Sequence, residues 1–132
     1  MIVSINNINE LEDFVKNFKK KYLPKNNIFL LSGDLGVGKT TFIKYLLKPI
    51  NVTSPTFNLL NIYNKKYWHM DLYKKNIFTM MDMEDYGVFS CLVDKNNKLF
   101  IEWWQRLNFP IQGLELKIFL KKKKRFLEIK NI

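Results

Sequence analysis

The chain has 132 residues, of which 47% are hydrophobic and 15% aromatic, so it is predicted to form one folded domain over residues 1–132 rather than a disordered chain. No stretch approaches the roughly 20 apolar residues that a membrane helix needs, and the first residues lack the basic and apolar regions of a signal peptide. The formal net charge of +10 is weak evidence for nucleic-acid binding, because 20 of the 22 basic residues are lysines and AT-rich coding alone would produce that bias.

The first half of the chain alternates predicted strands and helices. Residues 2–5 predict a short strand, and the apolar spacing over 11–22 predicts an amphipathic helix whose basic face is interpreted as solvated surface. The apolar run 28–31 predicts a strand buried on both faces, and residues 40–47 predict a helix that ends before Pro49. Three of the five glycines lie in the turn between this strand and this helix.

The second half of the chain is predicted to be richer in strands. Residues 51–63 predict a loop that leads into a strand, and residues 67–70 predict a strand that ends at Asp71. Residues 80–89 predict a weak helix interrupted by Gly87, and residues 99–101 predict a short strand that ends at Glu102. Residues 114–120 and 126–129 predict a β-hairpin with a basic loop over 121–125. We interpret that loop as solvated, with a contact to a phosphate backbone as the alternative.

Cysteine usage indicates a reducing compartment. Cys91 is the only cysteine, so it cannot form a disulfide within the chain. We therefore expect a cytoplasmic protein in which Cys91 is a small buried side chain.

The glycine-rich turn carries the strongest motif in the sequence. Residues 33–40 read GDLGVGKT, which matches the phosphate-binding loop (P-loop) pattern, and the required strand and helix flank it. Glycine allows successive backbone N–H groups to turn toward an anion at a helix N-terminus. Lys39 is expected to bridge the terminal phosphates, and the Thr40 hydroxyl to bind Mg²⁺. The residues predicted to bind the nucleotide here are Asp34, Leu35, Gly36, Val37, Gly38, Lys39, Thr40 and Thr41.

Two acidic residues at predicted strand ends are candidates for the metal and the attacking water. Asp71 and Glu102 would both emerge at the carboxyl edge of a doubly wound sheet, where ligands bind, although either could be a solvated strand end. His69 is expected to pack or hydrogen-bond locally rather than to bind a metal. Of the adjacent Trp103 and Trp104, one is expected to stack on a nucleotide base and the other to lie in the core.

The missing motifs narrow the class of nucleotide enzyme. No Asn-Lys-x-Asp guanine-binding sequence follows the loop, which favours ATP. The chain has two arginines, too few for the arginine-rich lid of a typical small-molecule kinase, so a hydrolase or a switch is favoured. The sequence thus predicts a single P-loop NTPase-like α/β domain with a central, mostly parallel sheet, flanking helices and a C-terminal β-hairpin.

Four separated motifs together carry a resemblance to a known family. They are GDLGVGKTT over 33–41, SPTF over 54–57, HMDLY over 69–73 and IEW over 101–103, and in this order and spacing they resemble the TsaE (YjeE) family of bacterial ATPases. The segment 74–86 matches that family poorly, and Trp104 stands where the family often has proline.

The resemblance implies a P-loop ATPase required for threonylcarbamoyladenosine at adenosine 37 of tRNA. Proteins of this family act with TsaD and TsaB, and their ATP hydrolysis is thought to reset that complex. The chain would then act on tRNA only indirectly, through the complex. By the resemblance, Lys39 grips phosphates, Thr40 and Glu102 bind Mg²⁺, and Asp71 positions or activates water. Thr56 resembles a switch residue that senses the γ-phosphate, and Trp103 the residue beside the base. The alternatives are a small-molecule kinase and a nucleotide-binding regulatory subunit with negligible turnover.

Overall fold

In a computed structural model, which describes residues 1–55 and 58–132, strands from both ends of the chain join one sheet. The seven strands of the described residues are β1 (Ile2–Ile5), β2 (Ile28–Ser32), β3 (Leu60–Tyr63), β4 (Tyr67–Asp71), β5 (Lys98–Glu102), β6 (Leu114–Lys121) and β7 (Lys124–Asn131). Their order across the sheet is β1-β7-β6-β2-β5-β4-β3.

The centre of the sheet is parallel and its edges are antiparallel. Strands β6, β2, β5 and β4 pair in parallel, whereas β3 pairs antiparallel with β4, and β7 pairs antiparallel with both β6 and β1. The predicted α/β class is confirmed. The expectation of a mostly parallel sheet holds for the four central strands, while the strands added at the edges make the whole sheet mixed.

Helices cover both faces of the sheet. Four helices are described, α1 (Ile8–Lys21), α2 (Lys39–Leu46), α3 (Met80–Asp85) and α4 (Val88–Val93). Helix α1 begins where the Asn7 side chain accepts a hydrogen bond from the Glu10 backbone N–H at 2.9 Å. No described helix is long and apolar enough to cross a membrane.

The core divides into two clusters because successive strand residues point to opposite faces. Phe29 and Leu31 of β2 belong to the cluster that also contains Phe18 of α1 and Phe42 of α2. Leu30 belongs to the other cluster, beside residues of α3 and α4. Cys91 lies in this second cluster with 1% of its surface exposed, as expected.

Two local features differ from the predicted outline. The hairpin loop is shorter than 121–125, because β6 continues to Lys121 and β7 begins at Lys124, which leaves a turn of Lys122 and Lys123. Both turn residues have positive φ, 51° and 65°, the backbone shape of two-residue hairpin turns. The predicted weak helix is two short helices, with Gly87 at φ 72° between them.

Candidate functional site

The glycine-rich loop joins the buried end of β2 to the start of α2. Gly36 and Gly38 have φ of 77° and 118°, which residues with side chains rarely adopt. Gly33 has φ 143°, and a Cβ built there would lie 2.4 Å from the Ile118 carbonyl oxygen of β6. The loop conformation therefore requires glycine at all three positions, at Gly33 because of close packing as well.

Lys39 is a buried cation held inside the loop. Only 5% of its surface is exposed, and Nζ donates hydrogen bonds to the carbonyl oxygens of Gly33 and, at 3.2 Å, Asp34. The same ammonium lies 4.3 Å from the centre of the Trp103 ring. Burial lowers the pKa of Lys39, and the nearby carboxylates, Glu102 foremost, oppose this shift.

Glu102 connects the loop helix to the neighbouring strand. Its Oε2 accepts a hydrogen bond from the Thr40 hydroxyl at 2.7 Å and lies 2.6 Å from His69 Nε2. Because a carboxylate oxygen only accepts, we assign the proton of this contact to His69 Nε2. Glu102 and His69 are both buried, so the carboxylate that faces Thr40 is fixed from both sides.

Asp71 lies beside Glu102 because the two residues are register partners at the ends of β4 and β5. Asp71 Oδ1 accepts a hydrogen bond from the Tyr73 backbone N–H at 3.0 Å. Burial is the main cause that raises the pKa of Asp71, and the Glu102 carboxylate adds to it, while the Tyr73 N–H opposes it. A half-buried carboxylate of raised pKa is a stronger proton acceptor than an ordinary aspartate.

These side chains share one cleft of about 210 Å³. The residues that line it are Leu35, Gly36, Gly38, Lys39, Thr40, Thr41, Ser54, Asp71, Glu102 and Trp103. Of the other predicted site residues, Asp34 contributes its carbonyl oxygen to Lys39, and the Val37 side chain is buried in the core. Thr56 lies outside the described residues.

Sequence reasoning did not anticipate three supporting hydrogen bonds, one at Glu102 and two at Ser32. His69 was expected to pack or to hydrogen-bond locally; it is fully buried, and its hydrogen-bond partner is Glu102, which is 33 positions away in the sequence. Ser32, the last residue before the loop, donates to buried Glu115 at 2.6 Å and accepts from Trp104 Nε1 at 2.7 Å. Trp104 thereby ties the turn after β5 to the start of the loop. The alternation HMD on β4 was the available signal for His69, since it places His69 and Asp71 on the same face.

The donor set fits a magnesium ion. Among the described residues, no group of three or more His, Cys, Asp or Glu side chains could hold a metal. Mg²⁺ is usually bound by one or two carboxylates together with water and substrate phosphates, so it does not need such a group. The hydroxyl of Thr40 and the carboxylate of Glu102 are hard oxygen ligands on one side of the loop.

Comparison with known proteins gives one consistent family. A family model described as "Threonylcarbamoyl adenosine biosynthesis protein TsaE" matches residues 5–128. The tRNA threonylcarbamoyladenosine biosynthesis protein TsaE of Borreliella burgdorferi is 40% identical over 98 residues, covering 67% of this chain and 70% of that protein. The protein of the same name from Rickettsia typhi is 35% identical over 140 residues, covering 97% and 93%. The crystal structure of Bacillus subtilis YdiB has the same fold, with a TM-score of 0.66 and 22% identity over 100% of this chain and 85% of that one.

Proposed function

The chain belongs to the TsaE family of tRNA threonylcarbamoyladenosine biosynthesis, and we propose that within it the chain is a magnesium-dependent ATPase. On this proposal it acts in the cytoplasm with TsaB and TsaD, and its ATP hydrolysis resets the complex that modifies adenosine 37 of tRNA. The observation that carries the proposal is one cleft containing a buried P-loop lysine, a threonine–carboxylate pair and a second acid.

The binding half of the proposal depends on the loop. Its backbone N–H groups would surround the phosphates, and Lys39 would turn from the carbonyl oxygens of Gly33 and Asp34 to the phosphate oxygens. Thr40 and Glu102 would hold Mg²⁺, which when bound neutralises charge on the β- and γ-phosphates. His69 keeps Glu102 oriented toward Thr40.

The hydrolytic half depends on Asp71. Its carboxyl lies in the same cleft, and the hydrogen bond from the Tyr73 N–H occupies Oδ1. We propose that Oδ2 orients the attacking water and accepts its proton, a role that the raised pKa of Asp71 favours. The Trp103 ring lies 4.3 Å from the Lys39 ammonium, and we propose that it limits the access of bulk water to this part of the cleft.

Two measurements test this proposal. With ATP labelled at the γ-phosphate, we expect the label to appear as inorganic phosphate and not on a small acceptor; transfer to an acceptor would support a kinase instead. Pull-down of TsaB and TsaD by the chain, with and without ATP, should show nucleotide-dependent capture. Absence of capture in both conditions would contradict the proposed role in the complex.

A further inference from the structure

The two short helices that follow β4 carry an exposed apolar surface. Met83 of α3 and Val88 and Cys91 of α4 are buried in the second core cluster, so both helices turn their other sides away from the sheet. On those outward sides, Met81 and Val93 have 73% and 83% of their surface exposed. Several exposed apolar residues on adjacent turns mark a surface that another molecule covers. We call this surface the α3–α4 face, and its exposed members are Met80, Met81, Glu84, Asp85, Phe89 and Val93.

The α3–α4 face is acidic in a strongly basic chain. Residues 76–94 contain four of the 12 acidic residues and no lysine or arginine, whereas the whole chain has a net charge of +10. Asp82 is used in capping α3, because its carboxylate accepts hydrogen bonds from the Thr79 backbone N–H and hydroxyl. No hydrogen bond or ion pair to a described residue engages Glu84 or Asp85, so both carboxylates are available to a partner.

Apolar side chains bordered by carboxylates define the chemistry of the occupant. Carboxylates repel the phosphates of nucleic acids and of anionic lipids, which disfavours both as occupants. They attract the lysine and arginine side chains of a complementary protein surface. Methionine side chains are flexible and adapt to apolar partners of different shape, and Met80 and Met81 are both exposed here. The face therefore fits a protein surface whose apolar residues are bordered by lysine or arginine.

The segment between β4 and α3 links this face to the phosphate cleft. Tyr73 donates its backbone N–H to Asp71, and the centre of its ring lies 5.1 Å from that of Trp103. Phe78, two residues before α3, donates its backbone N–H at 2.8 Å to the carbonyl oxygen of Arg106, in the turn that follows Trp103. A protein bound to the α3–α4 face would therefore lie beside the segment that contacts Asp71 and Trp103.

We propose that the α3–α4 face is the surface on which the TsaB–TsaD complex docks, and this inference rests on the proposed function. The complex contributes apolar side chains bordered by lysine or arginine. Docking fixes the segment between β4 and α3, which gives the complex a route to raise the rate of hydrolysis at Asp71. A second copy of the chain fits the face less well, because two copies that each carry a charge of +10 repel one another.

Binding of the purified TsaB–TsaD complex to the immobilised chain in Mg-ATP, measured by surface plasmon resonance, tests the proposal. Met81→Ser combined with Val93→Ser should weaken binding about 10-fold or more, because a few central contacts carry most of the energy of an interface. Glu84→Lys combined with Asp85→Lys should slow association about 10-fold at low ionic strength and less at high ionic strength, since repulsion replaces attraction and salt screens it.

The same variants separate docking from the chemistry of the cleft. None of the four substituted residues lines the phosphate cleft, so both double variants should keep the wild-type ATP affinity and the wild-type phosphate release in the absence of partners. Retained ATP affinity also shows that each variant is folded. Both variants should lose most of the rise in phosphate release that the TsaB–TsaD complex produces.

Matched controls lie on α1, which packs in the first core cluster, on the other face of the sheet. Ile8→Ser, and Glu12→Lys combined with Asp13→Lys, change the same kinds of exposed helical residue and should leave binding of the complex unchanged.

The outcomes distinguish the docking surface from the proposed function. Wild-type binding by both α3–α4 variants, or an equal loss in the α1 controls, would overturn the docking surface and leave the proposed function intact. Sedimentation that shows self-association of the wild type, lost in the α3–α4 variants, would also overturn it, because a second copy would then cover the face. Failure of the wild-type chain to bind the complex would overturn the proposed function and the docking surface together.

Discussion

Replacing Lys39 by methionine should separate ATP binding from folding. The substitution keeps an unbranched apolar side chain against the Trp103 ring and removes the ammonium. Hydrogen bonds to charged groups contribute about 1.5–3 kcal/mol each, and a factor of ten in affinity corresponds to about 1.4 kcal/mol. Loss of a single such bond to phosphate therefore predicts ATP binding that is about 10- to 150-fold weaker.

The same substitution should change the free energy of unfolding little. It removes two hydrogen bonds from Nζ to carbonyl oxygens, each contributing about 1 kcal/mol. It also removes the cost of burying an ammonium, a cost shown by the lowered pKa of Lys39. These terms oppose each other, so a net change within about 2 kcal/mol is expected.

Calorimetric titration with Mg-ATP and urea unfolding measure the two quantities on the same samples. Lys44→Met is the control, because Lys44 is an exposed lysine of the same helix and lines no part of the phosphate cleft. It should bind ATP like the wild type. An unchanged ATP affinity in Lys39→Met, with folding intact, would refute the assignment of Lys39 as the phosphate ligand.

Three further predictions concern catalysis, packing and reactivity. Asp71→Asn should retain ATP binding and lower hydrolysis about 10²- to 10⁴-fold in a phosphate-release assay; loss of binding instead would assign Asp71 to nucleotide contact. Because burial raises the pKa of Asp71, the folded state binds the carboxyl proton more tightly than the unfolded state does. The contribution of Asp71 to the free energy of unfolding therefore falls as the pH rises and the carboxyl loses its proton. Asp71→Asn should therefore be the more stable protein at neutral pH, an advantage that disappears in acid, and a pH series of urea midpoints checks it. Gly33→Ala should lower the free energy of unfolding by about 1–3 kcal/mol, because its Cβ would overlap the Ile118 carbonyl, and an unchanged urea midpoint would contradict the packing. Burial raises the pKa of the Cys91 thiol to about 12, so native protein should react with a thiol reagent only on the timescale of unfolding; rapid labelling at neutral pH would show that the helix pair α3–α4 opens.

The phosphate loop could be predicted from the sequence because its information is local. The spacing of three glycines, Lys39 and Thr40 specifies the turn, and the apolar run before it specifies a buried strand. Asp71 and Glu102 followed from strand ends that meet at one sheet edge, and the register of β4 with β5 places them side by side.

Contacts between distant segments could not be predicted in the same way. The Glu102 bond to His69 depends on the parallel pairing of two strands that are joined through two helices. A cavity at the sheet edge depends on β1 pairing with β7, where Ile5 is opposite Arg125, so residues from the two ends of the chain form its wall. No local pattern reports such a register. The hairpin turn was predicted too long because two lysines adopt positive φ, where glycine or asparagine is the usual signal.

The rate of phosphate release from Mg-ATP, measured for the chain alone and after addition of TsaB and TsaD, tests the central claim most directly. We predict slow release by the chain alone, a rise when both partner proteins are present, and loss of that rise in Asp71→Asn. Release that stays at the level of the partners alone, or that is the same in Asp71→Asn as in the wild type, would contradict the proposal that this cleft hydrolyses ATP.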